Sequence, residues 1–311
     1  MKPAVSVGQD ALVSRSADGA VAAAVGSRVS AYVSLTKPRI VLMVLITVGV
    51  GFLLGARRSA HPMTLALTLV GAGLVAGGAS ALNQHLERDR DARMRRTSRR
   101  ALPSGRLTPA EAAVFGAALG AIGTLILLIG ANGLAAATAL TTFLLYVYAY
   151  TPLKPHSTFN TVVGAVPGAL PPMIGWAAAT GTLGVEAWAL FLIVFFWQFP
   201  HFLAIAWIYR DDYARGGMKM LPSVDPSGVL TARQSTLYAL ALVPVGLLPA
   251  IVGMAGPLYF VGALILGLAY LESSVRFWSN VNDATARRLL RASIVYLPAI
   301  LLLLVLNPLP A

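Results

Sequence analysis

The sequence predicts an all-α, polytopic membrane protein built from nine transmembrane helices, and three observations carry that expectation. Of the 311 residues, 57% are hydrophobic and only 12% are charged, where a soluble domain carries about 25% charged residues. Nine apolar segments are long enough to cross a bilayer, and none alternates with period 2 as a barrel strand does. The basic residues also fall almost wholly on one side of a nine-crossing path.

In chain order the segments are 40–56, 64–82, 111–130, 133–150, 160–180, 187–208, 236–254, 258–275 and 290–307. Residues 1–38, rich in Ala, Ser and Val, read as a largely disordered cytoplasmic tail with an interfacial turn near Tyr32–Lys37. Asp10 and Asp18 in it argue against an organelle transit peptide, and it carries no cleavable signal pattern. Residues 39–311 then form one nine-helix domain. Pro200 inside the sixth segment is expected to kink it.

With the tail on the cytoplasmic side, 22 of the 24 Lys and Arg residues lie at that side, in or next to the tail and the even-numbered loops, and only Arg57 and Arg58 lie opposite. That asymmetry orients the chain by the positive-inside rule, and a miscounted helix would scramble it. The net charge of +12 is therefore read as membrane topology, and nucleic acid is not an expected partner. With no cysteine, disulfides, thiolate metal sites and a cysteine nucleophile are excluded.

Asn83, Glu87 and Asp91 follow the second apolar segment at i, i+4 and i+8. At roughly 100° per residue they share an arc of about 80° on one helix face, with Asp89 on the other side. Oxygen ligands at a membrane surface, with Arg88, Arg95 and Arg96 nearby, suit Mg²⁺ and a diphosphate. Asp211 and Asp212, in Tyr209-Arg-Asp-Asp-Tyr213, form a second acidic group, followed by Lys219 and Leu221-Pro222. The loop at 83–110 also starts acidic and runs through Arg and Gly to Leu102-Pro103, which suggests a distant internal repeat. Two acidic groups on one face can hold more than one divalent ion. Taken alone, Asp211 and Asp212 could equally cap helices or pair with Arg210 and Arg215.

Mg²⁺ held by such carboxylates neutralises a leaving diphosphate, and Lys or Arg stabilises the departing charge. Lys154, in Tyr150-Thr-Pro-Leu-Lys154, and Lys37 and Arg39, in Thr36-Lys-Pro-Arg39, are placed to reach it. Each could instead be a positive-inside anchor. An allylic cation must be kept from water, as the interior of a helical bundle does. Aromatic faces among Tyr146, Tyr148, Tyr150, Trp176, Phe195, Phe196 and Trp197 can attract it, although most such rings are core or interfacial anchors. Gln198 and His201 lie deep in the sixth segment, His201 about 12 Å from its end at 1.5 Å per residue. Polar groups at that depth function by default, although a histidine satisfied across helices fits as well. His85 is read as a bystander.

These residues resemble the UbiA-type intramembrane prenyltransferases. The Asn83-x-x-x-Glu87-x-x-x-Asp91 pattern carries the superfamily likeness. Trp197-Gln-x-Pro200-His201-Phe202, Asp211-Asp212-Tyr213, Tyr150-Thr-x-Leu-Lys154 and Pro171-Pro172-x-x-Gly175-Trp176 resemble its haem-farnesylating branch. The resemblance implies transfer of a farnesyl group from farnesyl diphosphate to a vinyl group of haem b with addition of water, giving haem O and diphosphate. It implies a Mg²⁺ cofactor held by Asn83, Glu87, Asp91, Asp211 and Asp212, with Lys154 beside them as a catalytic group. It further implies substrate contacts by Lys37, Arg39, Arg88, Arg95, Arg96, Tyr150, Gln198, His201 and Lys219. Placement in a bacterial inner membrane, contact with lipid and hand-over to a downstream haem-modifying enzyme follow from the same likeness.

Two departures stand out. Glu87 sits where the family often has Asp, and the second group is not a full Asp-x-x-x-Asp. Two other readings remain at this point: a prenyltransferase with an aromatic-acid acceptor, and a cation-dependent transporter. A transporter should carry its polar groups near the midplane on paired broken helices, whereas these carboxylates cluster at helix ends.

Overall fold

A computed structural model of the chain describes residues 27–57 and 59–309. Among them nine helices are long and apolar enough to cross a membrane, and no strand is present. The spans are Pro38–Ala56, Pro62–Asp91, Pro109–Gly130, Gly133–Leu153, Asn160–Thr180, Val185–Ile208, Val229–Ile251, Pro257–Ser279 and Asp283–Leu306. The nine-crossing expectation holds. The first, second, third and eighth spans begin with proline, whose missing N–H is an orphan at a helix start in any case. The third also has a capping box between Thr108 and Glu111, and the ninth has one on Asn282.

Four local features depart from the expectation. Most of the tail read as disordered, residues 1–26, lies outside the described residues. Residues 27–35 of that tail are instead a helix. Its Ala31 and Leu35 are fully buried against Ala101, Leu102 and Leu107 of the following long loop, and Tyr32 meets Phe115 edge-on. Ala31, Tyr32 and Leu35 supply this packing face, while Val29 and Val33 stay exposed.

The second span continues past the expected end to Asp91, giving 30 residues, roughly 45 Å at 1.5 Å per residue. That exceeds a hydrocarbon core of about 30 Å, so its last turns stand clear and carry the acidic motif. The fourth span changes from α to π geometry over Leu145–Tyr150, a wider turn that often marks functional sites. The fifth is two helices, Asn160–Ala169 and Pro171–Thr180, broken at Leu170 where Pro171 cannot donate to the preceding turn. Pro200 stays inside the sixth helix.

Two glycine contacts set the frame around the motif. A Cβ on Gly175 would run into the Val48 carbonyl of the first span, and one on Gly51 into the Pro172 carbonyl. Gly78 and Gly116 bring the second and third spans together in the same reciprocal way. Small residues let backbones meet where lipid supplies no hydrophobic drive. The first and second spans are thereby held against the fifth and third.

Candidate active site

Asn83, Glu87 and Asp91 are all turned inward, 1%, 5% and 1% exposed, while Asp89 is exposed. The face expected from helical spacing is the face observed. Each inward group meets a residue from another element. Lys37 Nζ donates to Asn83 Oδ1 at 3.1 Å, and Asn83 Nδ2 donates to Thr151 Oγ1 at 3.1 Å. Lys37 adopts φ +50°, a left-handed conformation that costs a non-glycine residue of order 1–3 kcal/mol and persists where surroundings over-determine it. Burial, helped by the positive charges of Arg100 and Lys154, pushes its ammonium down to about 7.

Lys154 Nζ lies 2.8 Å from Glu87 Oε1 and 4.4 Å from the centre of the Tyr150 ring. Burial alone would lower the Lys154 pKa, but the Glu87 carboxylate outweighs it and the net shift is upward. The π turn makes this possible. Thr151 Oγ1 donates to Tyr146 O at 2.8 Å while it receives Asn83 of the second span, and the Tyr150 ring packs on Gly164 of the fifth.

Asp91 Oδ2 accepts from Arg100 at 2.7 Å, while Asp91 Oδ1 is buried with no hydrogen-bond partner. The long loop returns to hold the helix end, with Thr97 Oγ1 donating to Asp91 O. On the facing loop Asp212 is buried. Its two carboxylate oxygens accept the backbone N–H groups of Arg95 and Arg96 at 3.2 and 3.3 Å, and Arg215 pairs with it. Burial pushes the Asp212 carboxyl up, yet Arg215 and the two N–H donors hold it below the usual range. Asp212 therefore ties the two acidic loops into one rim.

Several residues expected at the site lie away from this inward face. Asp211 is exposed; neighbours on a helix point about 100° apart, so only one of the pair can face inward. Arg39 is exposed and enters none of the ion pairs among the described residues. Arg88 leans the other way, 3.7 Å from Asp89. Arg95 and Lys219 have exposed side chains and work through their backbones, the Lys219 N–H donating to Lys154 O at 2.8 Å. Arg96 stays near the rim, stacked over Tyr209 and Tyr213 at 5.1 and 5.6 Å. Gln198 is buried, donating to Ala165 O at 2.8 Å, which anchors the fifth span to the sixth. His201 meets Ser293 of the ninth span, apart from the carboxylates.

No group of three His, Cys, Asp or Glu side chains forms a metal cage among the described residues, so the five-residue metal set is not preassembled. Each inward carboxylate instead faces a cation of its own. The donor set still fits Mg²⁺, which keeps waters and binds through one or two carboxylates plus substrate phosphates. The unpartnered Asp91 Oδ1 is the oxygen this chemistry needs. Beside the rim, Leu86, Glu87, Arg90, Thr151, His156 and Met218 line a cavity of about 200 Å³.

Residues 44–306 match the UbiA prenyltransferase family. The chain belongs to that family. It is 47% identical to a protoheme IX farnesyltransferase of Solibacter usitatus over 285 residues, 89% of this chain and 98% of the relative. A protoheme IX farnesyltransferase of Koribacter versatilis is 43% identical, covering 91% of this chain and 94% of its own. Among solved structures, a digeranylgeranylglyceryl phosphate synthase structure aligns with TM-score 0.76 at 17% identity, over 90% of this chain and 98% of the other. A UbiA homolog from Archaeoglobus fulgidus bound to DMAPP and Mg²⁺ aligns with TM-score 0.63 at 18% identity, over 88% and 98%. These neighbours share the UbiA fold. A prenyltransferase, and not a transporter, is the class to which this chain belongs.

Two members of the rim escape sequence reasoning. Arg100 sits in Arg99-Arg100-Ala101-Leu102-Pro103, a run with no motif that marks it, and reaches Asp91 only because the loop turns back. Thr151 lies between two flagged residues, Tyr150 and Lys154, and its position in that motif is the one signal that could have found it.

Proposed function

We propose that this chain farnesylates haem b: it joins the farnesyl group of farnesyl diphosphate to a haem vinyl group with addition of water, giving haem O and diphosphate. The observation that carries the reading is the buried Asn83–Glu87–Asp91 face, ringed by Lys37, Lys154 and Arg100 and tied to Asp212. The curated relatives named protoheme IX farnesyltransferase support haem as the acceptor over an aromatic acid.

Mg²⁺, held by oxygens of Asn83, Glu87, Asp91 and Asp212, would supply the positive charge that neutralises the leaving group. Lys37, Lys154 and Arg96 bind and orient the diphosphate at the rim. As the C1–O bond of farnesyl diphosphate breaks, its electron pair leaves with diphosphate, and these cations stabilise that charge. C1 bonds to the terminal vinyl carbon. The cation then left beside the porphyrin ring takes up water, which loses a proton and becomes the hydroxyl group. The Tyr150 ring lies 4.4 Å from Lys154 Nζ, and its face attracts positive charge.

The positive-inside rule supports a cytoplasmic arginine-rich face, and the bacterial relatives support a bacterial inner membrane with the diphosphate site toward the cytoplasm. Lipid surrounds it, and a haem-modifying enzyme receives the product. An acceptor competition tests the reading: the purified protein is given farnesyl diphosphate, Mg²⁺, haem b and an aromatic acid in equal amounts. Haem O as the product by mass spectrometry is expected; a prenylated aromatic acid would overturn the choice of acceptor.

A further inference from the structure

Away from the acidic rim, the sixth, eighth and ninth spans share a small polar network that the diphosphate chemistry does not use. Ser293 of the ninth span is fully buried. Its hydroxyl donates to Leu290 O at 2.6 Å, and its oxygen lies 2.7 Å from His201 Nδ1. A serine has one proton to give. When that proton is on the Leu290 carbonyl, Ser293 Oγ accepts from the histidine. In that arrangement His201 carries its proton on Nδ1, and its Nε2 presents a lone pair.

The surroundings hold the ring in that pose. Trp197 stacks on it with ring centres 4.9 Å apart and planes 24° from parallel. Trp197 is itself pinned, its Nε1 donating to Ser293 O at 2.8 Å, while Tyr270 Oη donates to Trp197 O at 3.1 Å. One serine thus fixes both rings. Nε2 has no hydrogen-bond partner among the described residues and is not one of the sealed-off buried atoms. A fixed imidazole tautomer whose other nitrogen is hydrogen-bonded is the arrangement that metal-ligating histidines use.

We propose that His201 Nε2 is an axial ligand to the iron of the haem substrate and that Ser293 is the positioning residue that selects its tautomer. The proposal rests on the haem reading of the preceding section. Iron ligation about 12 Å below the rim, at 1.5 Å per helical residue, fixes the depth of the porphyrin in the bundle. A ligated ring cannot slide or turn over freely, so its reactive vinyl edge is held toward the diphosphate end. That is orientation, the part of the barrier a binding site can remove.

The test is haem binding to the purified full-length protein in lipid nanodiscs, with no farnesyl diphosphate, read by Soret absorption and by electron paramagnetic resonance of ferric haem. Wild type and His61→Ala, altered at the opposite end of the bundle, are expected to give one saturable histidine-ligated spectrum. His201→Ala is expected to lose that spectrum and to bind haem at least tenfold more weakly, with imidazole in solution restoring the ligated signal. Ser293→Ala should keep ligation but shift the spectrum as the ring loses its fixed proton. His201→Gln, which can still donate to Ser293, covers the case in which the alanine variant does not insert. A wild-type spectrum and affinity in both His201 variants would overturn the proposal, even if the protein makes haem O. Wild type that neither binds haem nor makes haem O would instead overturn the haem reading on which it rests.

Discussion

Lys154 Nζ lies 2.8 Å from Glu87 Oε1, with the two side chains 13% and 7% exposed. A pair so buried is costly to break on one side, about 3–5 kcal/mol, because a bare charge is left behind. Lys154→Met is therefore expected to lower thermal stability sharply in detergent. Combining it with Glu87→Gln removes both charges and should recover most of the stability while leaving turnover absent. Additive loss of stability in the double variant would show that the two residues are not energetically coupled.

Asp91 and Asp89 differ by two positions and face opposite ways, one sealed in the rim and one exposed. Asp91→Ala should reduce turnover by on the order of 10²–10³, the scale of losing one group that stabilises transition-state charge, while the protein still inserts. Asp89→Ala should change it less than about twofold, in line with a solvated residue. Steady-state product formation in inverted membrane vesicles separates the two, and equal losses would contradict the inward-facing assignment.

Thr151 receives the Asn83 amide and donates to the π turn. Thr151→Val keeps the volume and removes both hydrogen bonds, at roughly 1 kcal/mol each. Expected is about a tenfold fall in kcat/KM for farnesyl diphosphate with a helical circular dichroism spectrum unchanged. Retention of wild-type kcat/KM would remove Thr151 from the site.

Burial pushes Lys37 down to about 7 from an ordinary 10.5, so the free enzyme holds it charged below pH 7 and neutral above. Since kcat/KM reports the free enzyme, its value for farnesyl diphosphate should fall as pH rises from 6 to 8.5, by up to about tenfold per unit above the pKa. Lys37→Arg, always charged, should flatten that limb. Stability moves oppositely: between pH 7 and 10.5 the unfolded chain binds more protons at this lysine than the folded one, so this residue's contribution to stability rises with pH. A wild-type profile that is flat across pH 7 would disprove Lys37 as the responsible group.

The helix count and the Asn83–Glu87–Asp91 face were legible because both follow from simple periodicities: span length and a 3.6-residue turn. The basic residues were not equally legible. Arg39, Arg88, Arg95 and Lys219 look the same in sequence as Arg96 and Lys154, and only the return path of each loop decides which side chain reaches the rim. Arg100 was invisible for that reason. Hydropathy could not see the π turn at Leu145–Tyr150, because a wider turn of the same apolar residues has the same composition. The helix at 27–35 hid in a tail whose burial depends on partners about 70 residues away in Ala101 and Leu102. Asp211 and Asp212 were a tie in sequence, broken by the two backbone N–H groups that Arg95 and Arg96 offer to Asp212.

The most direct measurement supplies the purified protein in nanodiscs with haem b and farnesyl diphosphate in ¹⁸O-labelled water, with Mg²⁺ added after chelation. Expected is haem carrying one farnesyl group and one labelled hydroxyl by mass spectrometry, with one diphosphate released per haem, only when Mg²⁺ is restored and not in Asp91→Ala. Unlabelled product, or equal product without Mg²⁺ or without the Asp91 carboxylate, would contradict haem farnesylation at this rim.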